Sequence, residues 1–161
     1  MVENRSNPKI IDLLNDVLTA ELTAINQYFL HAEMCHHWGY ERLYGAMRHH
    51  SIDEMKHAEK VMERVLYLKG IPNVQRLGKL NIGETVPEML SSDHALEMAA
   101  VERLNDSIEI CREQNDNGTR LLLEAILASE EEHLDWIEAQ QDLVAQIGVE
   151  NYLAQQIKKA D

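Results

Sequence analysis

The amino-acid sequence predicts an all-α protein: a four-helix bundle with one long crossover connection and a short fifth C-terminal helix. Three observations indicate this fold class. Apolar residues recur with helical spacing along four long stretches. The 161 residues include only 7 Gly and 3 Pro, and a single long segment, residues 70–86, lacks a helical period. The length suggests one domain, residues 1–161, that is large enough for a sizeable core.

The composition argues against several classes of function. The chain has 15 Lys and Arg against 28 Asp and Glu, a net charge of −13. Such an acidic surface argues against nucleic-acid binding and favours attraction of cations. Because no apolar run is long enough for a membrane span and the N-terminus has no apolar signal core, we expect neither membrane insertion nor export. Cys35 and Cys111 form no motif, and we expect two reduced, buried thiols in a cytoplasmic protein.

The first predicted helix begins at Asn7-Pro8, where Asn suits the cap and Pro the first helical position. It runs to about His36. Its inward stripe is apolar or aromatic except for Glu21, a carboxylate in mid-helix. Tyr28 on the same stripe is either a core aromatic or a contact of the Glu21 site. The stripe reads Leu14, Val17, Leu18, Glu21, Ile25 and Tyr28.

The second predicted helix follows a short link at Trp38-Gly39 and runs to about Lys69, before Gly70. In its stretch Ser51–His57, the residues Glu54 and His57 are three apart and share one helix face. That face also carries Leu43, Met47, Val61, Val65 and Leu68. A second apolar strip beside it suggests packing against another subunit as well as within the bundle. This outer strip consists of Ile52, Met55, Met62 and Leu66.

Residues 70–86 form the predicted crossover. About 16 extended residues span ~50 Å, whereas a helix of about 28 residues is ~42 Å long. The segment can therefore return along the whole bundle and make the second and third helices parallel.

Thr85 and Glu88 then open the third helix as a capping pair. Its inward stripe reads Leu90, His94, Glu97, Val101, Leu104, Ile108 and Cys111. Here His94 is either a core histidine or a contact of the Glu97 site.

The fourth predicted helix runs from about Thr119 to Ile147, after a turn at Asn115–Gly118 and before Gly148. Its inward face repeats the carboxylate–imidazole spacing at Glu130 and His133. Residues Glu150 to Lys159 form the short fifth helix.

Each of four helices thus carries one buried carboxylate, and two add a histidine three residues on. Four carboxylates carry −4 and two divalent cations +4, so a filled site is neutral. Without a metal, each of the four helices would have to bury an unpaired carboxylate at the same level of the core, and each such burial costs free energy. Carboxylate oxygen and imidazole nitrogen suit iron or manganese better than zinc, and the arrangement is the known pattern of di-iron and di-manganese carboxylate bundles. The predicted ligands are Glu21, Glu54, His57, Glu97, Glu130 and His133.

Nearly the whole chain resembles the bacterioferritins. The stretches that carry the resemblance are Glu21–Phe29, Ser51–Ala58, Leu77–Glu84 and Glu130–His133 with Asp135-Trp136. The resemblance implies a ferritin-like fold and a hollow 24-subunit homo-oligomeric cage, built from two-fold dimers, that oxidises ferrous iron and stores ferric mineral. It assigns the six ligands to a di-iron ferroxidase centre in which Glu54 and Glu130 bridge the irons and Glu21 and Glu97 are terminal.

The resemblance also implies a haem. Met55 is turned about 100° from the ferroxidase face, so it cannot serve the di-iron site. The resemblance to the bacterioferritins makes it the axial ligand of a b-type haem between two subunits. No Cys-x-x-Cys-His attachment motif exists, so the haem is expected to be non-covalent. His49 and Asp53 are either a solvated pair or an iron site on the inner surface of the cage. His50 stands where an acid is common and is expected to gate or perturb iron entry.

Two further expectations concern partners. We expect the outer strip and the fifth helix to be buried between subunits, and a [2Fe-2S] ferredoxin to help reduced iron leave the cage.

The alternative function is a non-storage di-iron oxidase or peroxidase of the same superfamily, but the chain has almost no sequence beyond the bundle for a substrate pocket. A rubrerythrin-type peroxidase would carry Cys-x-x-Cys pairs, and none exists here.

Overall fold

The computed structural model describes residues 5–159 and 161. The regular elements of this part of the chain are five helices, which confirms the all-α prediction. The helices are α1 (Pro8–His37), α2 (Glu41–Tyr67), α3 (Val86–Glu113), α4 (Asn117–Ile147) and α5 (Val149–Gln156).

The four long helices pair as α1 with α2 and α3 with α4, and the crossover between α2 and α3 runs along α1. The backbone N–H of Asn73 bonds Asn15 near the start of α1, and that of Gly83 bonds His31 near its end. The crossover therefore returns along the length of the bundle, and α2 and α3 are parallel, as its length predicted.

Side-chain caps fix three helix starts. The Asn7 side chain accepts the Ile10 N–H at 3.4 Å, with Pro8 at the first position. The Thr85 hydroxyl accepts the Glu88 N–H at 3.3 Å. Asp116 accepts the Thr119 N–H at 2.9 Å and caps α4, which begins at Asn117 and not at about Thr119 as predicted. These bonds satisfy N–H groups that have no partner within the helix.

Two predicted helix ends are wrong by two or three residues. The second helix ends at Tyr67 and not at about Lys69, because Lys69 itself, at φ 64°, has a left-handed conformation that breaks the helix one residue before Gly70. The short fifth helix ends at Gln156 and not at Lys159.

The fifth helix also packs on its own subunit. Tyr152 is buried in a cluster with Leu43, Met47 and Ile137, and its hydroxyl donates to Gln140 on α4 at 2.8 Å. Tyr152 therefore belongs to the core of its own bundle, and burial of the fifth helix between subunits stays a prediction for the remaining side chains. The rest of its surface remains largely exposed.

The core has two apolar clusters with a polar layer between them. One cluster surrounds Leu14, Val61 and Leu123, and the other surrounds Met47, Met89 and Ile137. The lone carboxylates and the Glu-x-x-His pairs lie in the layer between, where four helices face one another. Both cysteines are free and buried, one in each cluster, as expected. Among the described residues, no helix is long and apolar enough to cross a membrane.

Candidate metal centre

The structure brings all six predicted ligands together in the polar layer. They form two overlapping groups, each with ligand atoms that lie within 4.8 Å of one another. The first group consists of Glu21, Glu54, His57 and Glu130, and the second of Glu54, Glu97, Glu130 and His133. Glu54 and Glu130 belong to both, which is the geometry expected of two carboxylates shared by two cations. Five of the six side chains are fully buried, and His57 is nearly so.

The ligand atoms converge, but several of them have no hydrogen-bond partner. His133 Nδ1 lies 3.0 Å from Glu54 Oε1, and His57 Nδ1 lies 2.9 Å from Glu130 Oε1. Those distances are short, but His133 Nδ1, Glu54 Oε1 and Glu130 Oε1 lack the angles of a hydrogen bond and have no other partner. One oxygen each of Glu21 and Glu97 is also buried without a partner. Because native proteins rarely leave such groups unpaired, these lone pairs fit a metal site.

Asp53 orients one of the two imidazoles. Its Oδ2 lies 3.0 Å from His133 Nε2, so Nε2–H donates to the carboxylate and Nδ1 faces the ligand cluster, where it would bind a cation after losing its proton. A carboxylate behind a metal-binding histidine commonly fixes its tautomer in this way. The same Asp53 oxygen lies 3.5 Å from Nε2 of the exposed His49. The predicted inner-surface pair is therefore close in space and adjoins the centre.

The electrostatics of the metal-free cluster are those of crowded carboxylates. Burial, and then the charge of Glu54, raises the pKa of Glu21 well above its usual value. Burial, and then the contact with Glu97, raises the pKa of Glu130 as well. Burial opposes ionisation of Glu54 too, but its contacts with the Glu21 carboxyl and both imidazoles outweigh burial and lower its pKa.

The charge of His133 follows from the same contacts. Burial disfavours the imidazolium, but the contacts with Glu54 and Glu97 outweigh it and raise the pKa of His133 to about 11. The empty cluster therefore favours a charged His133 and the protonated forms of Glu21 and Glu130, at the place where cations would otherwise lie.

Two aromatic side chains pack against the ligands. The Tyr28 hydroxyl donates to Glu97 Oε1, so Tyr28 contacts the site and is also a core aromatic. The His50 ring lies 4.2 Å from the His133 ring between centroids, and burial, followed by the charge of His133, lowers the pKa of His50 to about 3. His94 has neither predicted role, because it is only half-buried and bonds Glu138 on α4 at 3.1 Å.

A cleft of about 780 Å³ between α1 and α3 reaches the centre. Its floor includes Glu21, Glu54 and Glu130, and residues of the crossover line it as well. Small side chains such as Ala20 and Ala99 line its sides. Divalent cations therefore have a route through the bundle to three of the four carboxylates.

Comparison with known proteins agrees with this geometry. The ferritin-like domain family matches residues 11–147. The bacterioferritins of Mycobacterium bovis and Mycobacterium leprae are each 46% identical to the chain over 155 residues, which is 96% of this chain and 98% of the relative. The bacterioferritin of Streptomyces coelicolor is 44% identical over 155 residues, 96% of this chain and 93% of the relative. The chain belongs to the bacterioferritin family.

Met55, the predicted haem ligand, lies on the outside of α2. Its thioether is half-exposed, and it borders a surface pocket of about 350 Å³. The other lining residues are Ile25, Phe29, Arg48, Ser51 and Ile52. A soft, neutral sulfur in an apolar pocket with one cation at its rim suits a haem with its negatively charged propionates.

Sequence reasoning missed a second buried polar cluster beside the centre. Gln27 and His31 on α1 both bond Asp93 on α3, and all three side chains are buried. Polar residues four apart on α1 were the available signal, but they lie beside the apolar stripe, where a solvated face was the ordinary interpretation.

Proposed function

We propose that this protein is an iron-storage ferroxidase that oxidises Fe(II) to Fe(III) at an intrasubunit di-iron centre and keeps the ferric mineral inside a 24-subunit cage. The observation that carries the proposal is the convergence of four buried carboxylates and two imidazoles with unpartnered ligand atoms. The identity to bacterioferritins over nearly the whole chain supports it.

Charge neutralisation explains why the substrate binds. When two ferrous ions enter, protons leave Glu21, Glu130 and His133, and four carboxylates balance the charge of the two cations. Glu54 and Glu130 would bridge the ions because they belong to both groups of ligand atoms. Such a clamp brings two one-electron donors close together, so that two electrons can pass to one molecule of dioxygen or peroxide.

The remaining residues of the site orient the ligands. Asp53 holds the His133 tautomer, and Tyr28 donates to Glu97. His49, on the exposed side of Asp53, would accept iron on its way from the centre to the cavity. Each of these roles is a matter of binding and positioning, which is the protein's main contribution to two-metal chemistry.

Exposed apolar residues support assembly into two-fold dimers and then a cage. Met55 and Leu66 on α2 are more than half-exposed, as are Ile71 and Val74 on the crossover. Large apolar side chains exposed on one subunit become buried when an interface between subunits covers them. If two α2 helices face each other about a two-fold axis, their Met55 side chains approach one another.

A b-type haem would then be held by Met55 of each subunit, within the apolar surroundings of Ile25, Phe29 and Ile52. The Arg48 guanidinium would pair with a propionate. Bound haem would supply a one-electron redox group at the subunit interface.

We further propose a [2Fe-2S] ferredoxin as the partner that reduces stored iron, and a cytoplasmic location, where two unpaired thiols remain reduced.

Stopped-flow oxidation of ferrous iron tests the function. Glu54→Ala should lose the rapid phase because both ions lose a shared ligand, whereas Glu59→Ala, on the exposed face of α2, should keep it. Sedimentation should show an assembled particle for both variants. Rapid oxidation at the parent rate in Glu54→Ala would overturn the assignment. A small oligomer that oxidises iron but retains none would favour a non-storage oxidase.

A further inference from the structure

A row of polar side chains on α1 holds the crossover. They are four residues apart, one per helical turn, and each bonds a crossover residue between 73 and 83. The row consists of Asn15, Thr19, Thr23, Gln27 and His31. Its first members are partly exposed, and its last three are buried.

The last three members receive backbone N–H groups of the crossover. The Thr23 hydroxyl accepts the Gly78 N–H at 2.8 Å, and Gln27 Oε1 accepts the Asn81 N–H at 3.2 Å. Since the crossover has no secondary structure of its own here, side chains of α1 supply the acceptors that a helix or sheet would otherwise provide.

His31 and Asp93 form the buried end of this row. His31 Nε2 accepts the Gly83 N–H at 3.0 Å, so its proton is on Nδ1, which donates to Asp93 Oδ1 at 2.9 Å. Gln27 Nε2 donates to the same oxygen at 2.8 Å. The crossover fits closely at this point, because a Cβ on Gly83 would lie 2.3 Å from the Met89 backbone nitrogen.

The crossover that these bonds hold is a wall of the cleft to the metal centre. Gly78, Lys79 and Asn81 line the cleft together with Glu21 on its floor. The N–H groups of Gly78 and Asn81 are among those bonded by the row. The position of this wall therefore depends on side chains that are not among the six predicted ligands.

We propose that Gln27, His31 and Asp93 are positioning residues for the metal centre. They fix the crossover against α1 and α3, and thereby set the width of the cleft through which divalent cations reach and leave the carboxylates. The inference rests on the proposed function only in naming ferrous iron as the cation, because the same wall would control any divalent ion.

Co²⁺ tests the proposal in the assembled protein without an oxidation step. His31→Leu leaves the Gly83 N–H without its acceptor and should increase amide hydrogen exchange in residues 77–84. It should also speed the release of bound Co²⁺ to a chelator by about five- to tenfold, the equivalent of one lost hydrogen bond. His31→Gln should restore both values to within about twofold, because a side-chain amide can accept from Gly83 and donate to Asp93.

A control separates positioning from stability. Val65→Ala shortens a buried core side chain on α2 and should lower the unfolding temperature while leaving Co²⁺ release unchanged. Where His31→Leu does not fold, Thr23→Val tests the same wall of the cleft, because it removes the acceptor for the Gly78 N–H together with the hydroxyl's own bond to the Thr19 carbonyl. Faster hydrogen exchange with parent-like Co²⁺ release would overturn the proposal, as would unchanged exchange. Failure of the parent itself to bind two Co²⁺ per chain would instead overturn the proposed function.

Discussion

Replacing Glu130 by glutamine should make the metal-free protein more stable and remove most of the stabilisation that metal provides. Glu130 is fully buried among carboxylates, and burial together with the contact to Glu97 raises its pKa. In the empty site it is therefore a neutral acid. Glutamine has nearly the same shape, and its amide can donate to a neighbouring carboxylate as a protonated acid can.

The magnitude follows from the pKa difference between the folded and unfolded chain. In the unfolded chain the group titrates at about its ordinary value of 4.5. Above that pH the unfolded chain ionises while the folded one stays protonated, so the group's contribution to stability, fully present below about pH 4.5, is lost as pH rises. At about 1.4 kcal/mol per pH unit, the loss reaches ~3 kcal/mol near pH 7.

Glutamine does not titrate, so Glu130→Gln escapes this loss. In chelator at about pH 7 the variant should unfold ~6–12 °C above the parent, at about 2–4 °C per kcal/mol, and the difference should vanish near pH 4.5. With Co²⁺ at about 100 times its dissociation constant the parent should gain ~3 kcal/mol per site. The variant should gain much less, because an amide is a poor shared ligand for two cations.

Scanning calorimetry across this pH range, in chelator and in Co²⁺, measures both effects. Glu131→Gln is the matched control, since it makes the same substitution at the adjacent, exposed position of α4. A metal-free Glu130→Gln that is less stable than the parent near pH 7 would contradict the electrostatic account. A full Co²⁺ gain in that variant would contradict the ligand assignment.

Three other outcomes are expected. Met55→Leu should remove the haem Soret band while leaving assembly and ferrous oxidation unchanged; a parent-like spectrum would place the ligand elsewhere. Burial raises the pKa of Cys35 to about 12 and that of Cys111 to about 11, so neither thiol should react with a thiol reagent until the protein unfolds, and rapid labelling of the native state would contradict their burial. Arg64→Met should lower the free energy of unfolding by about 1–3 kcal/mol, because Arg64 on α2 bonds Asp116 at the start of α4. An unchanged free energy of unfolding in chemical denaturation would show that this bond does not stabilise the fold.

Local periodicity explains why the ligand set could be predicted. A buried stripe interrupted by one carboxylate, as at Glu21 or Glu97, is visible in any single helix. The Glu-x-x-His spacing puts both groups on one face whatever the partner helices are. The stripes also determine which faces of the four helices meet, so the six residues had to share one layer of the core.

The contacts that sequence reasoning missed depend on tertiary partners. His31 and Gly83 are 52 positions apart, and nothing in the pattern of either segment shows that they meet. Asp93 lies one turn before Glu97, yet the adjacent His94 drew attention because histidine is the commoner ligand. Lys69 has a left-handed conformation that is uncommon for a residue with a side chain, and it ends the second helix two residues earlier than predicted without changing the fold.

Anomalous diffraction at the iron edge, from crystals soaked anaerobically in ferrous salt, tests the central claim most directly. The account predicts two iron peaks in each chain, both within bonding distance of Glu54 and Glu130, with Glu21 and His57 on one ion and Glu97 and His133 on the other. Full iron occupancy at the protein surface with no peak among these six side chains would contradict it.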